Sequence, residues 1–357
     1  MTRRPLVIAA LAALLPLAAV AQTPVQSGPY KILQTVKVGG DGGFDYVTAD
    51  SNARTLYIAR SGPAGHIGVF NLDTLAPLGD IPGVSAHGAI VDHASGHGFA
   101  TSKPITMFDA KTLAVLKKID VGGSPDGYLL DAYNHRYYEL SHSAPNVTVI
   151  DPKDGSVLGT IDLGGAPEQA VTDGRGHIYI DLEDKDAIAV VDADTLKVTG
   201  KYDLSSRGGG CAGLAIDAKN SILFAACRDK KNMIILSASD GHILTDLPIG
   251  VGSDGAVFNP DTNEVFSSQG DGTLTVIKEN SPTSFVVEQT VKTPVRAKTI
   301  TLDTKTGHLI LITAEFGSVP APAARAPGSA PAEAPRPAGR VRPPMIPGTF
   351  SILVVGK

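Results

Sequence analysis

The amino-acid sequence predicts an all-β fold, a seven-bladed β-propeller of four-stranded antiparallel blades. Three observations predict it: an Asp or Asn turn that recurs with one period, an aromatic or aliphatic strand after each turn, and an N-terminal segment able to supply the strand that the last repeat lacks. Composition agrees. Among 357 residues there are 39 Gly and no Trp, with Val, Ile, Thr and Tyr in short alternating runs, the usage of turn-rich β structure.

The turn residues are Asp50, Asp92, Asp131, Asp173, Asp217, Asn259 and Asp303, separated by 42, 39, 42, 44, 42 and 44 residues. That step is the length of a propeller blade. The strands that follow carry Leu56-Tyr57-Ile58, Gly98-Phe99-Ala100, Tyr137-Tyr138, Ile178-Tyr179-Ile180, Leu223-Phe224, Val265-Phe266 and Leu309-Ile310. Third strands are clearest at Ile67–Phe70, Val147–Ile150 and Ala189–Val191, and fourth strands at Lys117–Ile119, Gly159–Ile161 and Lys201-Tyr202. The last unit has Ser351–Val355 as its third strand and then stops, so Lys31–Val36 is expected to complete it. Closing the ring in this way leaves no open blade edge, which predicts a monomer. Two separate β-sandwiches would leave the chain-wide period unexplained.

Residues 1–21 read as a signal peptide: Arg3 and Arg4, an apolar run from Leu6 to Val20, and Ala19-Val20-Ala21 before a cleavage that starts the mature chain at Gln22. The arginine pair hints at the twin-arginine route, but the strongly apolar run fits ordinary secretion better. No Cys follows it to carry a lipid anchor, and no later stretch is long and apolar enough to enter a membrane. The expected location is periplasmic or secreted. Residues 22–357 form one propeller domain, with 30–38 as the closing strand and 318–347 as a Pro/Ala-rich flexible insertion carrying Arg325, Arg336, Arg340 and Arg342. That insertion is expected over the mouth where the first strands begin, as a basic lid or as a tolerated surface loop. The formal charge of −5 gives no reason to bind nucleic acid.

The Asp turn, the Leu-Tyr-Ile strand and the turn Val190-Val191-Asp192-Ala193-Asp194-Thr195-Leu196 resemble the YVTN-repeat, YncE-like family of exported β-propellers over residues 30–357. A clean Tyr-Val-Thr-Asn tetrapeptide is absent; Tyr57-Ile58-Ala59-Arg60 is the nearest match. The resemblance implies the fold and the export, and leaves the activity open because the family is functionally mixed.

Equivalent residues of successive first strands converge on one axis. Five positions before each turn stand Asp45, His87, Asp126, Glu168, Ala212, Asp254 and Lys298, of which six are ionisable. Small neighbours at Gly43, Gly88, Gly127, Gly213 and Gly255 are expected to keep the mouth wide. Carboxylates and an imidazole crowded together need a cation, Lys298, shared protons or water to relieve their repulsion. The ring therefore predicts a ligand site for a small molecule, a cation or a partner protein, weighed against a solvated rim with no ligand. Its mixed donors at His87, Asp126, Glu168 and Asp254 suit a divalent cation such as Ca, Mg, Mn or Zn.

The alternative is a metal-dependent hydrolase or lyase, similar to propeller lactonases. There Asp126 and Glu168 are candidate general bases and Lys298 would stabilise developing negative charge. No Gly-x-Ser-x-Gly elbow and no dinucleotide or phosphate loop is present. His93, His97, His135, His177 and His308 fall by the opposite-face turns, whereas His142 follows a second strand toward the ring. Cys211 and Cys227 lie equally far from the hairpin turn at Lys219 and show no metal-ligand spacing. In an oxidising compartment a disulfide is expected, rather than free thiols.

Overall fold

The seven turn residues close their turns with their own side chains, which is why the period shows in the sequence. In this computed structural model, which describes residues 27–318 and 343–357, Asp50 Oδ1 accepts hydrogen bonds from the backbone N–H groups of Asn52 and Ala53. Asp92, Asp131, Asp173, Asp217, Asn259 and Asp303 each accept one from an N–H two or three residues on. These Asx turns need a short side-chain oxygen at one fixed place.

Seven four-stranded antiparallel sheets result. Blade one consists of Gly43–Asp50, Thr55–Ser61, His66–Asn71 and Pro77–Pro82, and the next five blades keep that order. Blade seven has Ile300–Asp303, His308–Thr313 and Ser351–Gly356, and Lys31–Lys37 pairs with the last of these as its fourth strand. The expected closure of the ring is thus present.

Middle strands are apolar on both faces because each blade is sandwiched between two others; all six residues of Ile222–Cys227 and of Ser351–Gly356 are buried. Apolar clusters accordingly sit between blades. Tyr138, Leu140, Val147 and Val149 of blade three, for example, pack on Ile178, Ile180, Ala189 and Val191 of blade four. Outermost strands face solvent on one side or both, as Val115–Ile119 does. The first strands pack each on the next, and Ile300–Asp303 returns to Gly43–Asp50. Seven equivalent positions are thereby brought around one channel.

Cys211 and Cys227 face each other on adjacent strands and form a disulfide. Closing a loop of this length stabilises by about 3 kcal/mol in the chain-entropy model. Residues 1–21, expected as a signal peptide, and residues 319–342 of the expected insertion, with its four arginines, lie outside the described residues. No helix among the described residues is long and apolar enough to cross a membrane.

A charged clasp joins the last blade to the first. Arg54 donates to both oxygens of Asp303 at 2.7 Å, and the Asp303 side chain is 3% exposed. Burial works to raise the Asp303 pKa, but the Arg54 guanidinium and the Thr306 hydroxyl outweigh it and hold the carboxyl well below its usual range. A carboxyl depressed in the folded state stabilises the fold fully above its unfolded value of about 3.9 and loses that contribution as pH falls through the folded value. Arg54→Ala is therefore expected to cost about 2 kcal/mol at pH 7, and the gap from wild type should shrink toward pH 2.5. Urea titrations at the two pH values measure it; an equal gap at both would refute the clasp.

Candidate ligand site at the channel mouth

The first strands of blades one to six lose register with their neighbours at one equivalent place. The breaks fall between Phe44 and Val47, Ala86 and Ala89, Pro125 and Tyr128, Pro167 and Ala170, Cys211 and Gly213, and Ser253 and Gly255. The bulged residues include Asp45, His87, Asp126, Glu168, Ala212 and Asp254, while in blade seven Lys298 precedes the first paired residue, Ile300. A bulge bends the strand and re-aims a side chain that regular pairing would direct between blades.

Asp45, His87, Asp126, Glu168, Asp254 and Lys298 all line one cavity of about 1420 Å³. Ala212 is buried and is not part of the lining. His142 joins them, as its place after a second strand suggested. Glu183 and Arg228 also join, and sequence reasoning missed both. Their signal was available: His142, Glu183, Arg228 and Gly270 stand 11, 10, 11 and 11 residues after their turn residues and all line the cavity, forming an outer ring.

The cavity is a cup rather than an open pore. Beneath the ring the Tyr46 and Tyr128 rings meet edge to face at 5.5 Å, and Thr48 bonds to the Tyr128 hydroxyl and to Ala89 O. Across from them Gln169 spans three blades: its Oε1 accepts from Leu214 N at 3.0 Å and Ala256 N at 3.2 Å, and its Nε2 donates to Ala256 O at 3.0 Å. Gly88, Gly127 and Gly213 beside the ring allow this close packing, whereas Gly43 lines the cavity itself. A Cβ on Gly127 would stand 2.7 Å from Glu168 O, one on Gly213 would stand 2.8 Å from the Gly255 carbonyl carbon, and one on Gly88 would enter the Tyr128 ring.

Charges divide the mouth into two sectors. In the first, Asp126 lies between two imidazoles: His87 Nδ1 is 3.0 Å from its Oδ1 and 3.2 Å from Asp45 Oδ2, and His142 Nε2 is 3.0 Å from its Oδ2 and 3.6 Å from Glu168 Oε1. The carboxylates of Asp126 and Asp45 push the His87 pKa up to about 10, and Asp126 chiefly pushes His142 up to about 9. Burial alone would raise Asp126, but His142 and His87 together hold it well below the usual carboxylate range. Burial and then the neighbouring Glu183 push Glu168 up to about 9, against the pull of Arg228. Behind this sector Glu139 and Asp181 are fully buried, with no hydrogen-bond partner for either carboxyl among the described residues. Burial pushes Glu139 up to about 7 and Asp181 well above its usual value.

In the second sector Arg228 donates to Glu183 Oε1 at 2.5 Å and to Ser253 O at 2.8 Å, and it pairs with Asp254. Lys298 also pairs with Asp254 and lies 3.6 Å from Asp45 Oδ1. Asp254, expected from the sequence as a metal ligand beside Asp126, is instead engaged by two cations, and Lys298 is committed to ion pairs. The roots of the insertion stand at this mouth as well: Phe316 bridges to Met345, both line the cavity with Pro347, and the Arg296 guanidinium lies 4.3 Å over the Phe316 ring.

Comparison with known proteins supports the architecture. No protein-family model matches the chain, and no curated protein sequence does. Among solved structures, one described as the crystal structure of a mitotic checkpoint complex superposes with a TM-score of 0.68 at 11% identity, covering 85% of this chain and 95% of that one. Another, described as the structure of U3-55K, gives a TM-score of 0.66 at 10% identity over 92% and 99% of the two chains. At these identities the likeness is one of fold. Geometry and charge at the mouth must therefore carry any functional reading.

Proposed function

We propose that this chain is an exported β-propeller of the YVTN-repeat, YncE-like kind that binds a small cationic or hydroxyl-rich ligand at its channel mouth. One observation carries the reading. The cavity gathers six carboxyls, Asp41, Asp45, Asp126, Glu168, Glu183 and Asp254, among Arg228, Arg296, Lys298 and the imidazoles of His87 and His142, so that charged and polar side chains of both kinds converge on one mouth. Its carboxylates can pair with a cationic group that displaces an existing partner, and its many donors and acceptors offer hydrogen bonds to hydroxyls. The disulfide supports an oxidising compartment. A protein partner at the same face is the coarser form of this reading, and one of the similar structures is by its description part of a complex.

Thermal-shift titrations with spermidine, choline and a panel of monosaccharides, all in EDTA, test the proposal. At least one of these probes should raise the melting temperature of wild type and not of Asp45→Ala. Shifts shared equally by both chains, or shifts in neither, would place binding elsewhere.

The hydrolase or lyase alternative draws on a different observation. Asp126 and Glu168 are near neighbours whose proton affinities are driven apart, the pattern of an acid and a base sharing one site. At neutral pH Glu168 would hold a proton and act first as the acid. Turnover of an aryl lactone that disappears in Glu168→Gln would favour this alternative.

A further inference from the structure

We propose that Asp126 bridges two divalent transition-metal ions, one held with Asp45 and His87 on its Oδ1 side and one with His142 and Glu168 on its Oδ2 side. The inference deepens the reading of the mouth as a ligand site and rests on it. The arrangement is a pair of triads that share one residue. In Asp45, His87 and Asp126 one donor atom from each lies within 4.8 Å of the others, and the same holds for Asp126, His142 and Glu168.

Separations within the triads have the scale of a coordination sphere. Ligands about 2.0–2.2 Å from an ion stand about 3.3–3.6 Å from one another at a tetrahedral centre and about 2.8–3.1 Å at adjacent octahedral positions. The imidazole-to-carboxylate separations here are 3.0, 3.2, 3.0 and 3.6 Å. Each histidine presents its nitrogen to a different oxygen of Asp126, so the two oxygens serve two centres rather than one. Carboxylate bridging places paired ions about 3.5–4 Å apart in two-metal sites.

Ion pairing between the imidazoles and the carboxylates does not account for every atom. Asp126 is only 7% exposed, and its Oδ1 has no hydrogen-bond donor among the described residues although His87 Nδ1 is 3.0 Å away. The hydrogen bond of that ring nitrogen goes to Asp45 Oδ2. Asp126 Oδ1 therefore keeps a lone pair free on the side of the triad where an ion would sit. Both imidazoles are about half exposed on the cavity side, at 46% and 42%. That leaves room for the remaining coordination positions to take a ligand from the cup. One imidazole and two carboxylates per ion favour Zn, Mn, Co or Ni over Ca and Mg, whose sites are built from oxygen. Asp254 is left out because Arg228 and Lys298 already neutralise it.

The test uses the full mature chain, stripped with chelator and equilibrated with Zn²⁺ or Mn²⁺ alone. Elemental analysis should find two ions per wild-type chain and one in each of His87→Ala and His142→Ala, whose exposed side chains leave the fold intact by circular dichroism. Mn²⁺-loaded wild type should give the exchange-coupled electron paramagnetic resonance spectrum of a bridged pair, a readout that needs no variant. One ion per wild-type chain, two uncoupled ions, uptake unchanged in both variants, or no uptake would each overturn the bridge. If uptake fails while a small ligand still binds in EDTA through Asp45, the bridge alone falls and the binding cup stands.

Discussion

A chain lacking residues 22–37 should not form a stable monomer. Lys31–Lys37 supplies the fourth strand of blade seven, paired from Lys31 opposite Gly356 to Lys37 opposite Ser351 with one register shift between Ile32 and Gln34. Its removal exposes the edge of Ser351–Gly356, all of whose residues are buried in the intact ring. Tyr30, 4% exposed, is lost with it. That residue packs edge-on against Phe266 and donates its hydroxyl to Glu264 at 2.5 Å, while Gln289 exchanges hydrogen bonds with both of its backbone groups. Large-to-small replacement of one such aromatic costs about 3–5 kcal/mol; the strand and its ladder add several more, against a total stability of about 5–15 kcal/mol for a domain. The freed edge is also a template for pairing with another chain. Size exclusion and thermal melting should show aggregation or a sharply lowered melting temperature. A peptide spanning residues 27–40 should restore the monomer by adding the missing strand. A truncated chain that stays monomeric and melts like wild type would rule out closure by this strand.

The second large effect concerns Arg228, which holds the second sector together. Its guanidinium serves Glu183, Asp254 and the Ser253 carbonyl and lies 4.0 Å from Glu168 Oε1. Arg228→Ala would leave Glu168, Glu183 and Asp254 close together with Lys298 as their nearest fixed cation. Removing one partner of a largely buried pair costs about 3–5 kcal/mol; with Arg228 still 28% exposed, a loss of about 2–4 kcal/mol is expected. Equilibrium urea unfolding measures it, and the partial rescue expected from an added Glu183→Gln change separates charge from lost packing. A loss below about 0.5 kcal/mol, the usual size for a surface substitution, would show that the sector does not depend on this residue.

Much of the site was legible because it repeats. Five residues before an Asx turn is the same place in every blade, so Asp45, His87, Asp126, Glu168, Asp254 and Lys298 could be drawn to one mouth from spacing alone. Glu183 and Arg228 stand 10 and 11 residues after their turn residues, close to the offset of 11 at which His142 was visible, yet they sit beyond the ends of second strands where no residue type marks the repeat. The floor was not legible at all. Gln169 acts by reaching across blades four to six, and the length of that reach depends on how closely the first strands approach at Gly127, Gly213 and Gly255.

By itself the sequence determined the number of blades, the turn chemistry, the strand that closes the ring, the disulfide partners and six of the residues that meet at the mouth. All of these follow from period and from local hydrogen bonding, which depend on neighbours along the chain. Only the tertiary structure decided how the mouth divides: that Asp126 falls between two imidazoles, that Asp254 belongs to Arg228 and Lys298, and that tyrosines and a glutamine floor the channel. Bulge geometry and the packing of one first strand on the next set those partnerships, and a difference of a few ångströms between strands leaves no trace in residue spacing.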